Sequence, residues 1–224
     1  MDQIIRGVLH FHEHIYPERK DLFGTLADGQ SPDVLFITCS DSRIDPNLLT
    51  GSDPGDLFIC RNAGNIIPPH SNETGGMTAS IEYAVAVLGV RHIIVCGHTD
   101  CGAIKGALDL DALKGLPHVK EWLGHCRSAM EIVRERNDIP SDCSLDHKYL
   151  NEAIAENVLQ QVQHLRTHPA VAAKLANAKI EIHGWIYDIK TGRIRCCSHQ
   201  QDTFSDFSDQ YADIIDRINN EQDS

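Results

Sequence analysis

The chain has 224 residues, of which 42% are hydrophobic and 23% are charged, and its formal net charge is −12. That length is enough for one domain with a full core, whereas the acidic excess disfavours nucleic acid and anionic membranes as partners, because both are bound by clustered Lys and Arg. No apolar run approaches the roughly 20 residues of a membrane span, and the N-terminus lacks the basic and apolar regions of a signal peptide, so we expect a cytoplasmic protein whose eight cysteines stay reduced.

Residues 1–28 are expected to form a helical arm. Apolar residues recur at every third or fourth position of the opening segment, which predicts an amphipathic helix over residues 2–16 that stops at Pro17. A second helix is predicted over residues 18–27. Three histidines stand at two-residue spacing before the proline: His10, His12 and His14. Side chains at this spacing do not share a helix face, so solvated rings are expected here rather than a metal-binding arm.

Two apolar, β-branched runs, residues 33–38 and 91–95, predict short buried strands. The first is followed by Cys39, and the second leads into a loop that carries His98 and Cys101. In an open parallel sheet, ligands bind at the carboxyl ends of the strands, so these three side chains are expected to converge. Two thiolates, one imidazole and an open fourth position are typical of a catalytic zinc site, because a structural site takes a fourth protein ligand. On spacing alone, the alternative that both cysteines are ordinary buried hydrophobes stays open.

The other predicted elements alternate between helix and strand. A helical turn closed by glycine is followed by a strand, a proline-rich loop and a long helix that is apolar on nearly every side and is expected to be buried. These elements are residues 45–51, 57–60, 64–73 and 77–88. After the second cysteine loop, helices are predicted at residues 102–113, 116–136, 146–166 and 169–175, with a linker at residues 137–142.

The C-terminal part of the sequence predicts an antiparallel hairpin. Residues 179–188 read as a strand, and a turn at residues 190–192 leads into a second strand at residues 193–197. The whole pattern predicts an α/β fold with a mostly parallel sheet, an antiparallel edge hairpin and flanking helices. It is interpreted as a single domain with three parts: a helical arm at residues 1–28, an α/β core at residues 29–200, and a C-terminal helix and tail at residues 201–224.

Several motifs follow one another in a fixed order. Cys-x-Asp-x-Arg at residues 39–43 and His-x-x-Cys at residues 98–101 flank Arg-Asn-Ala-Gly-Asn at residues 61–65. In this order they make the chain resemble the β-class carbonic anhydrases, and most of all the bacterial cyanate-operon and cyanobacterial carboxysomal branch of that family. Four more segments match: GQSP at 29–32, PGDLF at 54–58, SIEYAV at 80–85 and HGWIYDI at 183–189. The resemblance covers most of the chain.

The resemblance implies a zinc enzyme that hydrates carbon dioxide reversibly to bicarbonate and a proton. One Zn²⁺ per subunit would be held by Cys39, His98 and Cys101, and zinc-bound hydroxide would attack the carbon of carbon dioxide. Asp41 and Arg43 are expected to act as a catalytic dyad, in which the arginine fork keeps the aspartate from taking the fourth zinc position. Because two thiolates offset the charge of the zinc ion, the activity is expected to rise through alkaline pH.

The resemblance also implies a small substrate pocket, residue for residue. Gln30 would donate to a substrate oxygen, Phe58, Ala63 and Tyr83 would form the apolar lining, and the Gly102 backbone amide would contact bicarbonate. Without the resemblance, the two aromatic residues would be interpreted as plain core. Part of this pocket normally comes from the partner subunit, across which the helical arm packs. A homodimer is therefore implied, with a tetramer or higher assembly beyond it.

Phe36 is a departure from one branch of the family. Members regulated by bicarbonate have tryptophan three residues before the first zinc cysteine, and phenylalanine here favours water rather than Asp41 as the resting fourth ligand. His70 and His92 are the histidines nearest the site in sequence. Sequence distance alone assigns neither of them the role of proton shuttle.

Two other functions fit the same motifs. A zinc site of this kind could hydrolyse carbon disulfide or carbonyl sulfide, because the same nucleophile attacks any linear cumulated carbon. The other alternative is a non-catalytic zinc protein that serves as a scaffold, in the way that relatives associate with the carboxysome; a C-terminal extension would favour it, and this sequence ends soon after its last predicted helix. A zinc deaminase does not fit, because the His-x-Glu and Pro-Cys-x-x-Cys motifs are absent.

Overall fold

A computed structural model of the protein describes residues 1–72, 74–198 and 203–222, so the expected boundary between core and tail at residues 200 and 201 lies outside the described residues. The strands are β1 (Val34–Cys39), β2 (Leu57–Asn62), β3 (His92–His98), β4 (Glu181–Tyr187), β5 (Ile194–Ser198) and β6 (Ser205–Asp206). The helices are α1 (Asp2–His10), α2 (Lys20–Ala27), α3 (Pro46–Thr50), α4 (Gly76–Glu82), α5 (Gly102–Leu108), α6 (Pro117–Leu123), α7 (Arg127–Arg136), α8 (Leu150–Arg166), α9 (Pro169–Ala176), α10 (Phe207–Gln210) and α11 (Ala212–Gln222).

The strands form one sheet in the order β2-β1-β3-β4-β5-β6. The pairs from β2 to β4 are parallel, whereas β5 is antiparallel to β4 and β6 is antiparallel to β5. The predicted mostly parallel sheet with an antiparallel hairpin is confirmed, although β6 covers part of the hairpin's outer edge. The connection after β1 leads to β2 on one side, whereas the connection after β3 leads to β4 on the other side, and this opens a crevice at the carboxyl ends of β1 and β3.

Both faces of the sheet are buried. On one face, inward residues of β1 and β3 form a large cluster with apolar residues of α8. On the other face, Phe36, Ile94 and Trp185 form a smaller cluster, against which Tyr211 of the C-terminal segment packs. The alternation of side chains along each strand produces this division, because successive residues point to opposite faces.

Helix α8 lies unusually close to the sheet at Gly97 of β3. A Cβ atom at this position would lie 2.7 Å from the Val158 Cγ2 atom, which is shorter than any ordinary packing contact. Only glycine therefore lets α8 reach the strand that carries His98 at its end. The close approach fixes the position of that strand end relative to the helix.

Gly97→Ala is expected to lower the free energy of unfolding by about 1–3 kcal/mol, the usual cost of overpacking a core. Urea denaturation measures this, and the loss caused by Gly97→Ala should be smaller in a Val158→Ala background than in the wild type. Gly124→Ala is the matched control, because a Cβ there meets nothing within 4 Å. A Gly97→Ala variant as stable as the wild type would contradict this account of the packing.

The first helix continues past the predicted end at Pro17. Helix α1 passes into a π-helical segment, Phe11–Ile15, and then into a short helical turn, Tyr16–Glu18, before the chain changes direction at Arg19. A proline ring inside a helix clashes with the carbonyl four residues earlier. The wider π-helical turn provides room for that ring, so the prediction that the helix stops at the proline was wrong.

The arm is largely exposed in this single chain. None of the residues of α1, of the π-helical segment or of α2 is buried, and its large apolar side chains Ile4, Val8 and Leu9 are each more than half exposed. The rings of His10 and His14 stack with centroids 4.8 Å apart, because residues four apart lie on the same side of a helix. The expectation that the arm histidines do not share a face was therefore wrong for this pair.

Two other helices differ from the prediction, one in how far it is exposed and one in its length. The helix that was expected to be buried on nearly every side is α4 with a π-helical extension, Tyr83–Leu88, and in this single chain Tyr83 and Val87 are 44% and 66% exposed. The helix predicted over residues 102–113 ends at Leu108, because the Asp109 side chain accepts hydrogen bonds from two following amides and begins a 3₁₀ turn. Of the helices in the described ranges, none has the length and hydropathy needed to cross a membrane.

Candidate metal centre

Cys39, His98 and Cys101 meet at the carboxyl edge of the sheet. Cys39 ends β1, His98 ends β3, and Cys101 directly precedes α5. Because β1 and β3 are neighbouring parallel strands, both end at the same edge. The three ligand atoms lie within 4.8 Å of one another, with the two sulfurs 3.9 Å apart, and all three residues are buried. The structure thus brings together the three side chains that the sequence selects.

The His98 ring is oriented with one nitrogen towards the cysteines. Its Nδ1 atom lies 2.9 Å from the Thr99 carbonyl oxygen, and a ring nitrogen that faces a carbonyl carries the proton, so Nε2 has the lone pair. Nε2 is buried and has no hydrogen-bond partner among the described residues. Leaving such an atom unsatisfied costs free energy, and a metal ion would remove that cost. Two sulfurs and one imidazole nitrogen are donors that suit zinc, so the residues fit this ion.

The two thiols of the cluster differ in acidity. The hydrogen bond between the two sulfurs, 3.9 Å apart, lowers the pKa of the Cys39 thiol despite the opposing effect of burial, and the Gly64 amide 3.4 Å from the Cys39 sulfur lowers it further. The same contact and burial raise the pKa of Cys101 above its usual range. One thiolate therefore forms readily, and the second requires a cation in the cluster to replace its proton.

Asp41 and Arg43 form a two-pronged ion pair beside the cluster. Arg43 donates from Nε to Asp41 Oδ1 at 2.9 Å and from its terminal nitrogen to Oδ2 at 2.8 Å. These hydrogen bonds hold the pKa of Asp41 far below its usual range. Asp41 Oδ2 also lies 3.8 Å from His98 Nε2. An ionised carboxylate that only accepts hydrogen bonds is thus fixed next to the metal-ligand atoms.

Two charged residues that the sequence reasoning missed position this dyad. Asp100 accepts from Arg43 through Oδ2 at 3.1 Å and is also paired with Lys105 of α5. Arg61 of β2 donates to the carbonyl oxygens of Cys39 at 3.1 Å and of Asp41 at 2.8 Å. Asp100 stands directly before the second cysteine, and Arg61 opens the Arg-Asn-Ala-Gly-Asn motif. Their partners, however, are set by the fold rather than by sequence spacing.

A buried chain of hydrogen bonds supports the loop behind Cys39. The Asn157 side chain donates to the Gly64 carbonyl at 3.1 Å, and Gln161 donates to Asn157 at 2.9 Å and accepts from the Ile67 amide at 2.7 Å. Gly64 has φ +85°, a conformation that favours glycine, and its amide is the one that faces Cys39. Helix α8 therefore fixes the loop whose Gly64 amide helps to lower the pKa of the Cys39 thiol.

The expected substrate residues divide into two groups. Ala63 and Gly102 flank the cluster, since one precedes Gly64 and the other follows Cys101. Phe58 lies near the amino end of β2, about 13 Å along the strand from the residue that pairs with Cys39.

Two more of the expected substrate residues, Tyr83 and Gln30, lie at the same end of the strands as Phe58 rather than beside the metal cluster. The Tyr83 ring is 6.0 Å from the Phe58 ring, and Gln30 is exposed just before the start of β1. Strand β1 itself spans about 16 Å between Val34 and Cys39. Within one chain, therefore, Gln30, Phe58 and Tyr83 lie at the opposite end of the strands from the metal ligands.

Of the two histidines nearest the site in sequence, His92 lies far from it. His92 begins β3 and His98 ends it, which separates them by about 20 Å. The His70 ring packs against the His168 ring, with centroids 5.9 Å apart.

A cleft of about 730 Å³ is lined by Asn62, Trp122 and His125 among others. It adjoins the site, because Trp122 donates to the Ala63 carbonyl at 2.9 Å. From the sequence, Trp122 was expected only on the buried face of a helix, and His125 was not expected near the site.

The site and the fold can be compared with those of known proteins. A family model described as carbonic anhydrase matches residues 34–194. A carbonic anhydrase of Pseudomonas aeruginosa is 47% identical over 194 residues, which are 87% of this chain and 86% of that protein. A carbonic anhydrase of Synechococcus elongatus is 46% identical over 195 residues, which are 87% of this chain and 70% of that protein.

The fold is also similar to solved structures of β-carbonic anhydrases. The β-carbonic anhydrase CcaA superimposes with a TM-score of 0.86 at 42% identity, over 92% of this chain and 91% of that one. A tetrameric β-carbonic anhydrase of Sordaria macrospora has a TM-score of 0.76 at 32% identity, over 88% of this chain and 97% of that one. The similarity extends over the strands that carry the cluster.

Proposed function

The chain belongs to the β-carbonic anhydrase family and catalyses the reversible hydration of carbon dioxide to bicarbonate and a proton, and from this premise we propose how its own residues carry the reaction. Cys39, His98 and Cys101 would hold one zinc ion per subunit. The observation that carries this assignment is the buried Nε2 atom of His98, which has no hydrogen-bond partner among the described residues and faces two sulfurs within 4.8 Å.

Asp41 orients the water that reacts. When bound, zinc supplies the acidity that lets a water molecule lose a proton near neutral pH. Asp41 stays ionised because Arg43 holds its pKa low, so its carboxylate would accept a hydrogen bond from the reacting water and would not donate one. This contact turns an oxygen lone pair towards the carbon of carbon dioxide, and it is available only while the carboxylate stays beside His98.

Arg43 holds Asp41 in that position. Its guanidinium engages both carboxylate oxygens, so the carboxylate does not swing in to become a fourth zinc ligand. Asp100 fixes the guanidinium from its far side. The paired arrangement, together with Phe36 in place of tryptophan, supports water rather than Asp41 as the resting fourth ligand.

Gln30, Phe58 and Tyr83 serve the site of a second copy of the chain. Their position about 13 Å or more from the metal ligands of their own chain supports this, as does the exposure of Tyr83. Ala63 and Gly102 act in their own chain, where the Gly102 amide at the start of α5 contacts bicarbonate. The catalytic unit is then a homodimer that the exposed arm holds together, and the tetrameric relative supports a further pairing of dimers.

The reaction takes place in the cytoplasm, where the thiols of Cys39 and Cys101 stay reduced and able to bind zinc. Carbon dioxide is the substrate that the relatives support. Carbon disulfide, carbonyl sulfide and a purely structural role for zinc are outcomes that the following experiment separates.

Removal of the metal with a chelator is expected to abolish carbon dioxide hydration in a stopped-flow assay, and the first equivalent of zinc per chain should restore it. The restored activity should rise from about pH 6 to about pH 9, because two thiolates weaken the pull of zinc on its water. The same holoenzyme is assayed with carbonyl sulfide and carbon disulfide. Faster turnover of either would reassign the substrate, and a zinc-loaded oligomer inactive on all three would support a scaffold.

A further inference from the structure

A second cluster of metal-binding side chains lies at the opposite end of the sheet. His92 begins β3, and Glu181 and His183 lie on the first half of β4. The register places His92 directly beside Glu181, and His183 is two residues further along on the same face. One ligand atom from each lies within 4.8 Å of the other two. The length of β3 separates this cluster from His98 by about 20 Å.

The spacing of the three ligand atoms fits a tetrahedral metal ion. His92 Nδ1 is 3.4 Å from His183 Nε2 and 3.6 Å from the Glu181 carboxylate, and His183 Nε2 is 3.7 Å from that carboxylate. Ligands at zinc bond lengths of about 2.0–2.1 Å stand about 3.3–3.5 Å apart at the corners of a tetrahedron. The Glu181 side chain is 64% exposed, so it can close the small remaining difference.

Hydrogen bonding within the cluster explains this arrangement less well. All three separations exceed the usual range of about 2.7–3.2 Å for hydrogen bonds to nitrogen donors. The two ring nitrogens face each other at 3.4 Å, which is a long distance for a hydrogen bond between them. Three nearly equal distances of 3.4, 3.6 and 3.7 Å leave a common centre at which one ion fits.

A further contact orients the His183 ring for such a role. Its Nδ1 atom lies 3.1 Å from the Tyr211 hydroxyl, which also accepts from the Trp185 indole at 3.0 Å. If Nδ1 carries the proton and donates to that oxygen, Nε2 presents its lone pair to the cluster. Metal-binding histidines are commonly held in this way by an outer hydrogen bond.

We propose that His92, Glu181 and His183 form a second binding site for a divalent transition-metal ion, with zinc as the ion that it fits. Two imidazoles and one carboxylate are a zinc ligand set that leaves a fourth position for water. The site is independent of the catalytic cluster. Through Tyr211, which lies between α10 and α11, it connects the amino ends of β3 and β4 to the C-terminal segment.

The number of zinc ions per chain tests the proposal. Holoenzyme is dialysed against solutions of rising buffered free Zn²⁺, and bound zinc is measured by atomic absorption. We expect the wild type to reach two zinc ions per chain, and His92→Gln and Glu181→Gln to reach one. Both residues are partly exposed, so the variants should fold, and an unchanged rate of carbon dioxide hydration verifies that they do.

The matched control removes another pair of adjacent histidines, His10 and His14 of the arm. The double variant His10→Gln, His14→Gln should keep two zinc ions per chain. Saturation of the wild type at one zinc ion would overturn the proposal. So would a second zinc ion that persists in Glu181→Gln and His92→Gln, or one that disappears from the arm variant.

Cobalt distinguishes the two sites by their ligands. The catalytic cluster contains sulfur, so the first cobalt ion should add an intense near-ultraviolet sulfur-to-metal band. A second cobalt ion should add only weak visible bands, because nitrogen and oxygen ligands give no such charge transfer. A second sulfur-to-metal band would assign the extra ion to other cysteines and would contradict the proposal.

Discussion

Cys101→Ala is expected to remove the catalytic zinc ion and to reduce carbon dioxide hydration to the uncatalysed rate. Cys101 is 1% exposed, and its sulfur is one of three metal-binding atoms in the cluster. Even the outer hydrogen-bond partners of zinc ligands contribute about 10- to 100-fold to affinity or activity, so the loss of a ligand itself should weaken zinc binding by at least about 10²-fold. Zinc content and stopped-flow hydration, measured on the same preparation, check this result.

Cys126→Ala is the control for this substitution. Cys126 is also fully buried, and burial raises the pKa of its thiol to about 12, but it lies outside the cluster. Its replacement leaves a similar small cavity, so any loss of stability that comes from truncating a buried thiol should appear in both variants. If Cys101→Ala kept its zinc and its activity, the assignment of the metal ligands would be wrong.

Asp41→Asn is expected to keep the zinc ion but to lower the turnover of carbon dioxide by about 10²-fold. An amide is nearly the same size as a carboxylate, yet it has only one acceptor oxygen and presents an N–H donor at the other position. It therefore loses the two-pronged contact with Arg43 and, in half of its orientations, turns a donor towards the reacting water. Because the pKa of Asp41 lies far below its usual range, the wild type should show no activity step from this group near neutral pH.

A similar ion pair elsewhere in the chain provides the control for Asp41→Asn. Asp33 is held by Arg91 through both carboxylate oxygens, but this pair stands at the amino end of the sheet. Asp33→Asn should leave the turnover unchanged, since it removes a charged pair of the same kind that lies about 16 Å along β1 from the metal ligands of its own chain, and Asp33 is not one of the residues proposed to serve a second copy. Equal losses in the two variants would indicate a general effect of charge, and full activity of Asp41→Asn would remove the aspartate from the reaction.

The candidate metal ligands could be predicted from the sequence because they follow directly after recognisable strands. Cys39 and His98 end runs of β-branched residues, and neighbouring parallel strands necessarily finish at one edge. Asp41 and Arg43 are close in sequence, so their pairing needs only a tight loop. The parallel sheet was predictable for the same reason, since strands and helices alternate along the chain.

Contacts across the fold could not be predicted in this way. Arg61 reaches the Cys39 carbonyl because β2 pairs with β1 in one particular register, and hydrophobic pattern alone does not specify which residues stand opposite each other. The pairing of His92 with Glu181 depends likewise on the register of β3 and β4. The helix that passes through Pro17 was missed because a π-helical turn leaves no separate mark in the pattern of apolar residues.

The separation of Gln30, Phe58 and Tyr83 from the metal ligands has a genetic consequence. If each catalytic centre draws its ligands from one chain and its substrate contacts from the other, two different inactivating alleles can complement each other. A chain that lacks Cys101 still lends an intact Gln30, and a chain that lacks Gln30 still contributes intact cysteines. A mixed dimer of the two would therefore contain one complete centre, although either allele alone would produce none.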